Sequence, residues 1–588
     1  MRDGVELATD VYLSGTCPAP AIIFRTPYGR ANDKNIGVFL VLARRGYVVV
    51  AQDCRGTGDS QPDAWDYYMY EAEDSYDCVE WAAQQRWYNG FLGSCGGSYA
   101  GQTQWCMATH PKMSTIAPEV SGLGVASNTA HLYLFLDSYA KSVGKGVGKN
   151  LKPLAVTERE MLEQTLKGGF YNEPFEKPFP PALIDVYPEL GSLKHAEAQS
   201  WLWAKYCSLT SAQRAGLVKK AFNVKNVTIV EVERLAELFG HAVPHDAHTL
   251  PAVSQTARCQ SILAPPLIVT GWYDWCLNDA LATWRLLNRE GRSAVASTCR
   301  LIITPGAHNG PGYHEGLFCH PELQRTYRTD QIVGLLLRWF DAVQSGKLSW
   351  WPKVIYYLMG ANEWRAARSW PPAETNKLSL YLAPDAGLSR DQHSGSAEES
   401  FVYDPRNPTP TLGGSILSNV YVGGSTDISI LDSRPDVLTY TTPVLDTPLD
   451  VVGDLRLELY VRSTVRDTDF VSHLSDVGPD GRAILIQSGI LRSRFRSAIP
   501  TQLTPGNVHR LEIDMWATAH RFMSGHRLRL SICSSDFPRF DRNTNRGGKV
   551  GLPIPAKQTV LYGKNTPSRL ILSILMGAPN QARSRSDG

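Results

Sequence analysis

At 588 residues the chain exceeds the ~250–300 at which a single core usually stops growing, which predicts two or three domains. Hydrophobic residues at 43% and charged residues at 20% describe a globular protein, and a net charge of +2 gives no electrostatic case for nucleic acid or an anionic membrane as partner. The 11 cysteines are scattered through apolar segments with no CxxC pair and no Cys/His cluster at metal spacing, so the expectation is reduced buried thiols, a cytoplasmic location, no metal and no cofactor.

Val5 to Leu13 alternates apolar and polar residues as a half-buried strand does. Asp3-Gly4 before it is a hairpin turn signal with only Met1 and Arg2 upstream, so the chain is expected to start inside what would normally be its first hairpin. Ala21-Ile22-Ile23-Phe24 is a short apolar strand leading into Arg25-Thr26-Pro27-Tyr28-Gly29-Arg30. A helix follows from Gly37 to Arg45, then a strand from Tyr47 to Ala51, then the turn-forming loop Gln52 to Ser60. The run Val38 to Ala43 is far too short to span a bilayer, and no signal peptide is legible at the start. An acidic amphipathic helix over about Glu71 to Gln84 precedes the stretch Trp87 to Gly101. The alternation predicts a mainly parallel sheet with helices on both faces.

Trp87 to Gly101 reads as a buried strand, a tight turn carrying Ser98, and a helix running toward His110. Small residues crowd the serine: Gly96, Gly97, Ala100 and Gly101. Such a turn raises the hydroxyl above the sheet edge and sets a helix N-terminus, with its free N–H groups, behind it. This is the pattern of a nucleophile elbow, with Ala100 where the commonest form has a second glycine; the alternative is a Gly-rich loop with an incidental serine. Arg25-Thr26-Pro27-Tyr28, Asp53-Cys54-Arg55-Gly56-Thr57-Gly58 and Gly96-Gly97-Ser98-Tyr99-Ala100-Gly101, in this order and spacing, resemble the X-Pro dipeptidyl peptidase/cocaine esterase family of α/β-hydrolases.

From about 126 to 250 the alternation stops. Trp201-Leu202-Trp203 and Val227 to Phe239 read as helices between Pro-rich loops such as Glu173-Pro174 and Pro178 to Pro181. The resemblance implies a helical cap here, roofing the active site. Glu189, Asp246 and His248 have no evident role. Pro266 to Thr270 is again a buried strand, followed by Gly271-Trp272-Tyr273-Asp274; Leu301 to Thr304 is another, followed by Pro305-Gly306-Ala307-His308. Asp274 and His308 thus lie just past strand ends, where open α/β sheets place ligands. Ser98, Asp274, His308 is the chain order of an α/β-hydrolase triad: serine needs a base, and the base needs an acid to fix its tautomer. An Asp or His after a strand is by itself more often a turn former, with His314 and Asp279 as competitors. The resemblance implies Asp274 as acid and His308 as base. It also implies an oxyanion hole from the Tyr99 backbone N–H and the Tyr28 hydroxyl.

After about 351 helices vanish and short strands recur: Lys353 to Met359, Leu378 to Leu382, Asp454 to Arg462, Ala483 to Gln487, Arg510 to Met515 and Arg527 to Cys533. They predict an all-β sandwich of jelly-roll type. The resemblance continues through Asp467-Thr468-Asp469-Phe470 and Ser534 to Asn545, and so covers nearly the whole chain. The Arg-rich stretch Leu491 to Arg496 is expected to form solvated or interdomain ion pairs rather than a nucleic-acid patch, and the tail Gln581 to Gly588 to be disordered. The expected domains are an α/β-hydrolase core over 1–125 and 251–350, a helical cap over 126–250 and a β-sandwich over 351–588.

The function implied is hydrolysis of a small-molecule carboxylic ester through an acyl-serine. An acyltransferase would share the intermediate, and X-Pro dipeptidyl peptidases or amide hydrolases share the family; a non-catalytic carbohydrate-binding protein is the reading from another class. Relatives that recognise α-amines carry acidic residues just after the catalytic Asp, whereas Asp274 is followed by Trp275-Cys276-Leu277. Trp275 and Cys276 are therefore expected to line an apolar or aromatic acyl pocket, to which the resemblance implies that the sandwich loop Leu412 to Ser418 adds Leu417 and Ser418. Cys276 and Ser418 are small where pockets of the family often hold aromatics, so the pocket is expected to be roomy. Oligomeric state is left open, a homodimer included.

Overall fold

The computed structural model describes residues 1–124, 159–160, 181–193, 195–227, 231, 235, 255–308, 329–418, 420–497, 501–547 and 552–575. Glu173-Pro174, most of Pro178 to Pro181, Asp246, His248, His314 and the tail lie outside them, as does most of Val227 to Phe239.

The first half is built on strands β1 (Thr9–Tyr12), β2 (Ala19–Thr26), β3 (Val48–Asp53), β4 (Tyr88–Gly97), β5 (Thr115–Glu119), β6 (Leu267–Tyr273), β7 (Arg300–Ala307), β8 (Val354–Leu358) and β9 (Glu363–Ala367). They pair in the order β1-β3-β2-β4-β5-β6-β7-β8-β9, parallel from β3 to β8 with antiparallel edges. The central strands are apolar on both faces because helices cover both. Ile22, Val49 and Ala51 face α1 (Asp33–Arg44), while Ile23, Val48 and Val50 face the core shared with α2 (Glu71–Ala82) and α3 (Tyr99–Met107). Helix α1 begins earlier than Gly37 because Asn32 Oδ1 accepts the Asn35 N–H at 2.9 Å, a side-chain N-cap, with Asp33 in the first turn.

Between 181 and 222 the chain forms α4 (Pro181–Val186), α5 (His195–Cys207) and α6 (Ser211–Phe222), in the place expected for the cap. A full capping box, Thr210 with Gln213, starts α6. Leu202 and Tyr206 of α5 and Val218 of α6 bury against Trp65, Tyr67 and Tyr68 of the hydrolase core, at about 1.5–3 kcal/mol for each fully buried apolar side chain. The chain returns to the sheet through α7 (Gln255–Ser261); α8 (Leu277–Glu290) and α9 (Ser293–Thr298) connect β6 to β7, and α10 (Thr329–Gln344) precedes β8. Val333, Leu336 and Phe340 of α10 pack with Phe39 and Leu42 of α1 on one face of the sheet.

One expected assignment is corrected. Lys353 to Met359 was placed with the sandwich, and the core was expected to end at 350. The strand there, β8, pairs parallel with β7, and β9 follows it antiparallel, so the hydrolase sheet extends to Ala367. An apolar strand carries no mark of which sheet it joins; the open edge of β7 decides.

The second half is all β. Among the described residues eleven strands pair, from β10 (Thr375–Ala383) through β14 (Leu449–Ser463), β15 (Asp469–Val477), β16 (Ala483–Arg492) and β17 (His509–Phe522) to β20 (Arg569–Leu575). The pairing is almost wholly antiparallel, as a β-sandwich of jelly-roll type requires. Arg492 and Arg494 form ion pairs with Asp469 and Asp467, but these pairs lie within the sandwich and are largely buried, with Arg492 and Asp469 side chains 6% and 1% exposed, so the expected solvated or interdomain placement is corrected. The halves are joined through the backbone: Met359 N–H donates to the Ala519 carbonyl at 2.9 Å and Arg521 N–H to the Met359 carbonyl at 2.8 Å. Among the described residues no helix is long and apolar enough to cross a membrane.

Candidate active site

Register places the site. Gly97 at the end of β4 lies opposite Glu119 at the end of β5, Glu119 opposite Val269 in β6, and Tyr273 opposite Ala307 at the end of β7. The residues that leave these strands, Ser98, Asp274 and His308, are therefore delivered to one edge of the sheet.

Ser98 has φ 57° and ψ −121°, a conformation that costs an L-residue of order 1–3 kcal/mol and persists only when the surroundings hold it. Several bonds do so. The Ser98 N–H donates to the Glu119 carbonyl at 3.0 Å, and the Ser98 carbonyl accepts the N–H groups of Gly101 and Gln102 at 2.8 and 3.0 Å. Gln104 Nε2 donates to the Gly96 carbonyl at 2.9 Å while its Oε1 accepts the Ala117 N–H, pinning α3 to both strands. Gly101 is required by proximity, since a Cβ there would lie 2.6 Å from Ser121 Cβ and 2.9 Å from the Glu119 carbonyl oxygen. The turn is thus a strained strand-to-helix elbow, as the spacing predicts.

His308 Nε2 lies 2.8 Å from Ser98 Oγ, and His308 Nδ1 lies 2.8 Å from Asp274 Oδ1. Asp274 is fully buried and His308 is 8% exposed. Asp274 Oδ1 also accepts the Cys276 N–H at 3.0 Å, and Oδ2 accepts the Thr270 hydroxyl at 2.9 Å, so both carboxylate oxygens are fixed. Thr270 was not singled out from sequence; its place four residues before Asp274 in a parallel strand is the only signal. The tight packing of β6 on β7 depends on Gly271, where a Cβ would lie 2.3 Å from the Gly306 carbonyl oxygen. Asp279 has a structural task, accepting the Gly124 N–H at 2.9 Å.

The Tyr99 N–H donates to the Tyr28 hydroxyl oxygen at 3.1 Å. These two groups stand side by side next to Ser98, and an oxygen about 2.9 Å from each would be within reach of both. The Tyr99 side chain turns away from the solvent. Its hydroxyl donates to Glu71 Oε1 at 2.8 Å, and Glu71 Oε2 pairs with the fully buried Arg25 at 2.8 Å. Burial, reinforced by Glu71, holds the Tyr99 phenol well above its ordinary pKa, so it stays a neutral donor. This Arg25–Glu71–Tyr99 support has no local sequence signature, because its members come from three separate elements. Glu119, beside the elbow, has its carboxyl raised to about 7 by burial.

Hydrolase, cap and sandwich meet around the elbow. Tyr99 stacks on Tyr68 at 4.3 Å and shares an apolar cluster with Leu202 and Tyr206 of the cap and Phe540 of the sandwich; Trp275 and Leu417 pack against it. The Trp275 and His308 rings are 5.5 Å apart. The loop carrying Leu412 to Ser418 reaches β7, since a Cβ on Gly423 would meet Ala307 Cβ at 3.5 Å. Ser418 is buried, and its hydroxyl accepts the N–H groups of Val420 and Tyr421 at 2.9 Å, a turn-forming role absent from the sequence expectation. The sandwich also holds the strand that carries the acid: Tyr273 donates to the Leu485 carbonyl at 3.0 Å, and Gln487 Nε2 to the Trp272 carbonyl at 3.2 Å. The Cys276 thiol joins the constellation. Cys276, Asp274 and His308 each offer a donor atom within 4.8 Å of the other two, and among the described residues no other trio of His, Cys, Asp or Glu is so gathered.

Known proteins resemble this chain along its length. Residues 3–145 match the X-Pro dipeptidyl-peptidase (S15 family), and residues 350–571 match the X-Pro dipeptidyl-peptidase C-terminal non-catalytic domain. The chain is 29% identical over 607 aligned positions to a cocaine esterase of Rhodococcus sp. (strain MB1 Bresler), covering 98% of this chain and 97% of that protein. Two solved structures share the fold along 98% of the chain and 95% of their own: an aminopeptidase from a marine sediment Thaumarchaeota archaeon (TM-score 0.70, 20% identity) and an α-amino acid ester hydrolase (TM-score 0.67, 22% identity).

Proposed function

The chain belongs to the X-Pro dipeptidyl peptidase/cocaine esterase-like family of α/β-hydrolases and is a serine hydrolase, and on that premise we propose that it cleaves carboxylic esters with an apolar or aromatic acyl group through an acyl-Ser98 intermediate. The observation that carries this reading is the unbroken relay Ser98 Oγ–His308 Nε2 and His308 Nδ1–Asp274 Oδ1, each 2.8 Å. In the mechanism it supports, His308 Nε2 takes the Ser98 proton as Oγ attacks the ester carbonyl. Asp274 holds the Nδ1–H and stabilises the imidazolium. The negative oxygen of the tetrahedral intermediate takes hydrogen bonds from the Tyr99 N–H and the Tyr28 O–H, the former given up by Tyr28. His308 then returns the proton to the leaving alkoxide. Water, deprotonated by the same nitrogen, releases the acid and restores Ser98.

The apolar acyl group is argued from Trp275, whose ring is 5.5 Å from that of His308, and from Leu417, which packs against the same apolar cluster as Trp275. Ester is preferred over aminoacyl-prolyl substrates because no carboxylate follows Asp274. Glu119, its carboxyl raised to about 7 by burial, is partly ionised at neutral pH and is the alternative anchor for an ammonium group. An acyltransferase would use the same relay with another acceptor. The test is a substrate profile: p-nitrophenyl esters of acetate, butyrate and benzoate against alanyl-proline p-nitroanilide, with Ser98→Ala as control. Ester turnover that vanishes in Ser98→Ala is expected. Release from alanyl-proline without ester turnover would overturn the ordering.

A further inference from the structure

The Cys276 thiol has no step in ester hydrolysis, yet it stands with the base and the carboxylate that orients it. Cys276 caps the N-terminus of α8 two residues after Asp274, and is itself 7% exposed. Its donor atom, one from Asp274 and one from His308 lie within 4.8 Å of one another. A thiolate, an imidazole nitrogen and a carboxylate oxygen are the donor set that takes a soft or borderline divalent cation, Zn2+ or Cd2+, in tetrahedral geometry. Zinc–ligand bonds of about 2.0–2.3 Å set neighbouring donors about 3.3–3.7 Å apart. The Nδ1–Oδ1 pair at 2.8 Å opens by about half an ångström to reach that range, and the thiol moves inward.

We propose that Cys276, Asp274 and His308 form an inhibitory site for a thiophilic divalent cation, which enters between His308 Nδ1 and Asp274 and switches the base off. Binding forms metal–sulfur, metal–nitrogen and metal–oxygen bonds. Cys276 loses its thiol proton to solvent, and the proton of His308 Nδ1 moves to Nε2; no electron is transferred. A neutral imidazole with its Nδ1 lone pair on a metal carries its one proton on Nε2. That nitrogen then donates to Ser98 Oγ instead of accepting from it, and the serine has no base. The inhibited state is reversible by chelation and leaves the elbow and the two oxyanion donors in place.

The loss of activity rests on the role of His308 in the proposed function; the binding does not, and the two are measured separately. Cd2+ alone is titrated into the protein and the ultraviolet thiolate-to-cadmium charge-transfer band is followed. A saturable band is expected that disappears in Cys276→Ser and Cys276→Ala and survives in Cys17→Ser, the exposed cysteine. His308→Asn is expected to weaken the titration. A band unaffected by Cys276→Ser overturns the site. In parallel, Zn2+ is expected to block fluorophosphonate labelling of Ser98, and EDTA to restore it. Relative to each variant's own metal-free rate, the half-inhibiting Zn2+ concentration should rise about 100-fold or more in Cys276→Ser, no less than loss of a partner one shell further out costs. An unchanged half-point overturns the inhibition. If metal-free protein fails to label while the Cys276-dependent band is present, the proposed function fails and the cation site stands.

Discussion

Replacing Tyr28 by Phe removes one hydroxyl and leaves the ring. That hydroxyl lies 3.1 Å from the Tyr99 amide nitrogen, so in the proposed mechanism the developing oxyanion has two donors in the wild type and one in the variant. Loss of one such donor costs about 10²–10³ in kcat, or about 2.7–4 kcal/mol of transition-state stabilisation. The cost to folding is small by comparison. Tyr28 is 36% exposed, and its neutral bond to the Tyr99 N–H is worth about 1 kcal/mol. The expected signature is therefore a large fall in kcat on a p-nitrophenyl ester with little change in KM or Tm. Fluorophosphonate labelling of Ser98 should slow in parallel, because that reaction also develops charge on oxygen. A variant with unchanged kcat, or one that changes KM alone, refutes the assignment of Tyr28 to the oxyanion.

Thr270→Val deletes the hydroxyl that fixes Asp274 Oδ2 at 2.9 Å while keeping the shape of the strand; kcat should fall about tenfold, the effect of a hydrogen bond to a charged group worth about 1.5 kcal/mol, and unchanged kinetics would show that Asp274 is held without it. Gly101→Ala gains about 1 kcal/mol of helix propensity but meets Ser121 Cβ at 2.6 Å and the Glu119 carbonyl oxygen at 2.9 Å, so overpacking of about 1–3 kcal/mol should win and Tm should drop; a rise in Tm would mean that α3 can shift. Glu119 binds its proton more tightly folded, at about 7, than unfolded, at 4.5, so its contribution to stability is full below the unfolded value and is lost as pH rises through that window. Glu119→Gln should remove this loss, and the Tm difference from wild type should grow in favour of the variant from acid to neutral pH; parallel curves would contradict it.

Much of the site is legible in sequence because the chemistry sits where backbone patterns change. Ser98 is marked by small residues around a strand-to-helix turn; Asp274 and His308 lie just past apolar runs, a position that suits a turn former equally, and the family resemblance is what selects them over Asp279 and His314. Tertiary support is not legible. The Arg25–Glu71–Tyr99 chain joins a strand, a helix and the elbow, and the bonds from Tyr273 to Leu485 and from Gln487 to Trp272 join residues more than two hundred apart in sequence. The assignment of β8 failed for a related reason. Val354 to Leu358 is a buried apolar strand that would suit either sheet, and only the edge left by β7 selects one. Cys276 reads in sequence only as a candidate for the acyl pocket; its closeness to His308 follows from the pairing of β6 with β7, which no local pattern reveals.

The central claim is that Ser98 carries the acyl group. Intact and peptide mass spectrometry of protein quenched during turnover of a slow p-nitrophenyl ester tests it directly. The account predicts one acyl adduct, on the peptide holding Ser98, that accumulates in His308→Gln if any labelling survives there and is absent from Ser98→Ala. An adduct on another residue, or full ester turnover by Ser98→Ala, would contradict it.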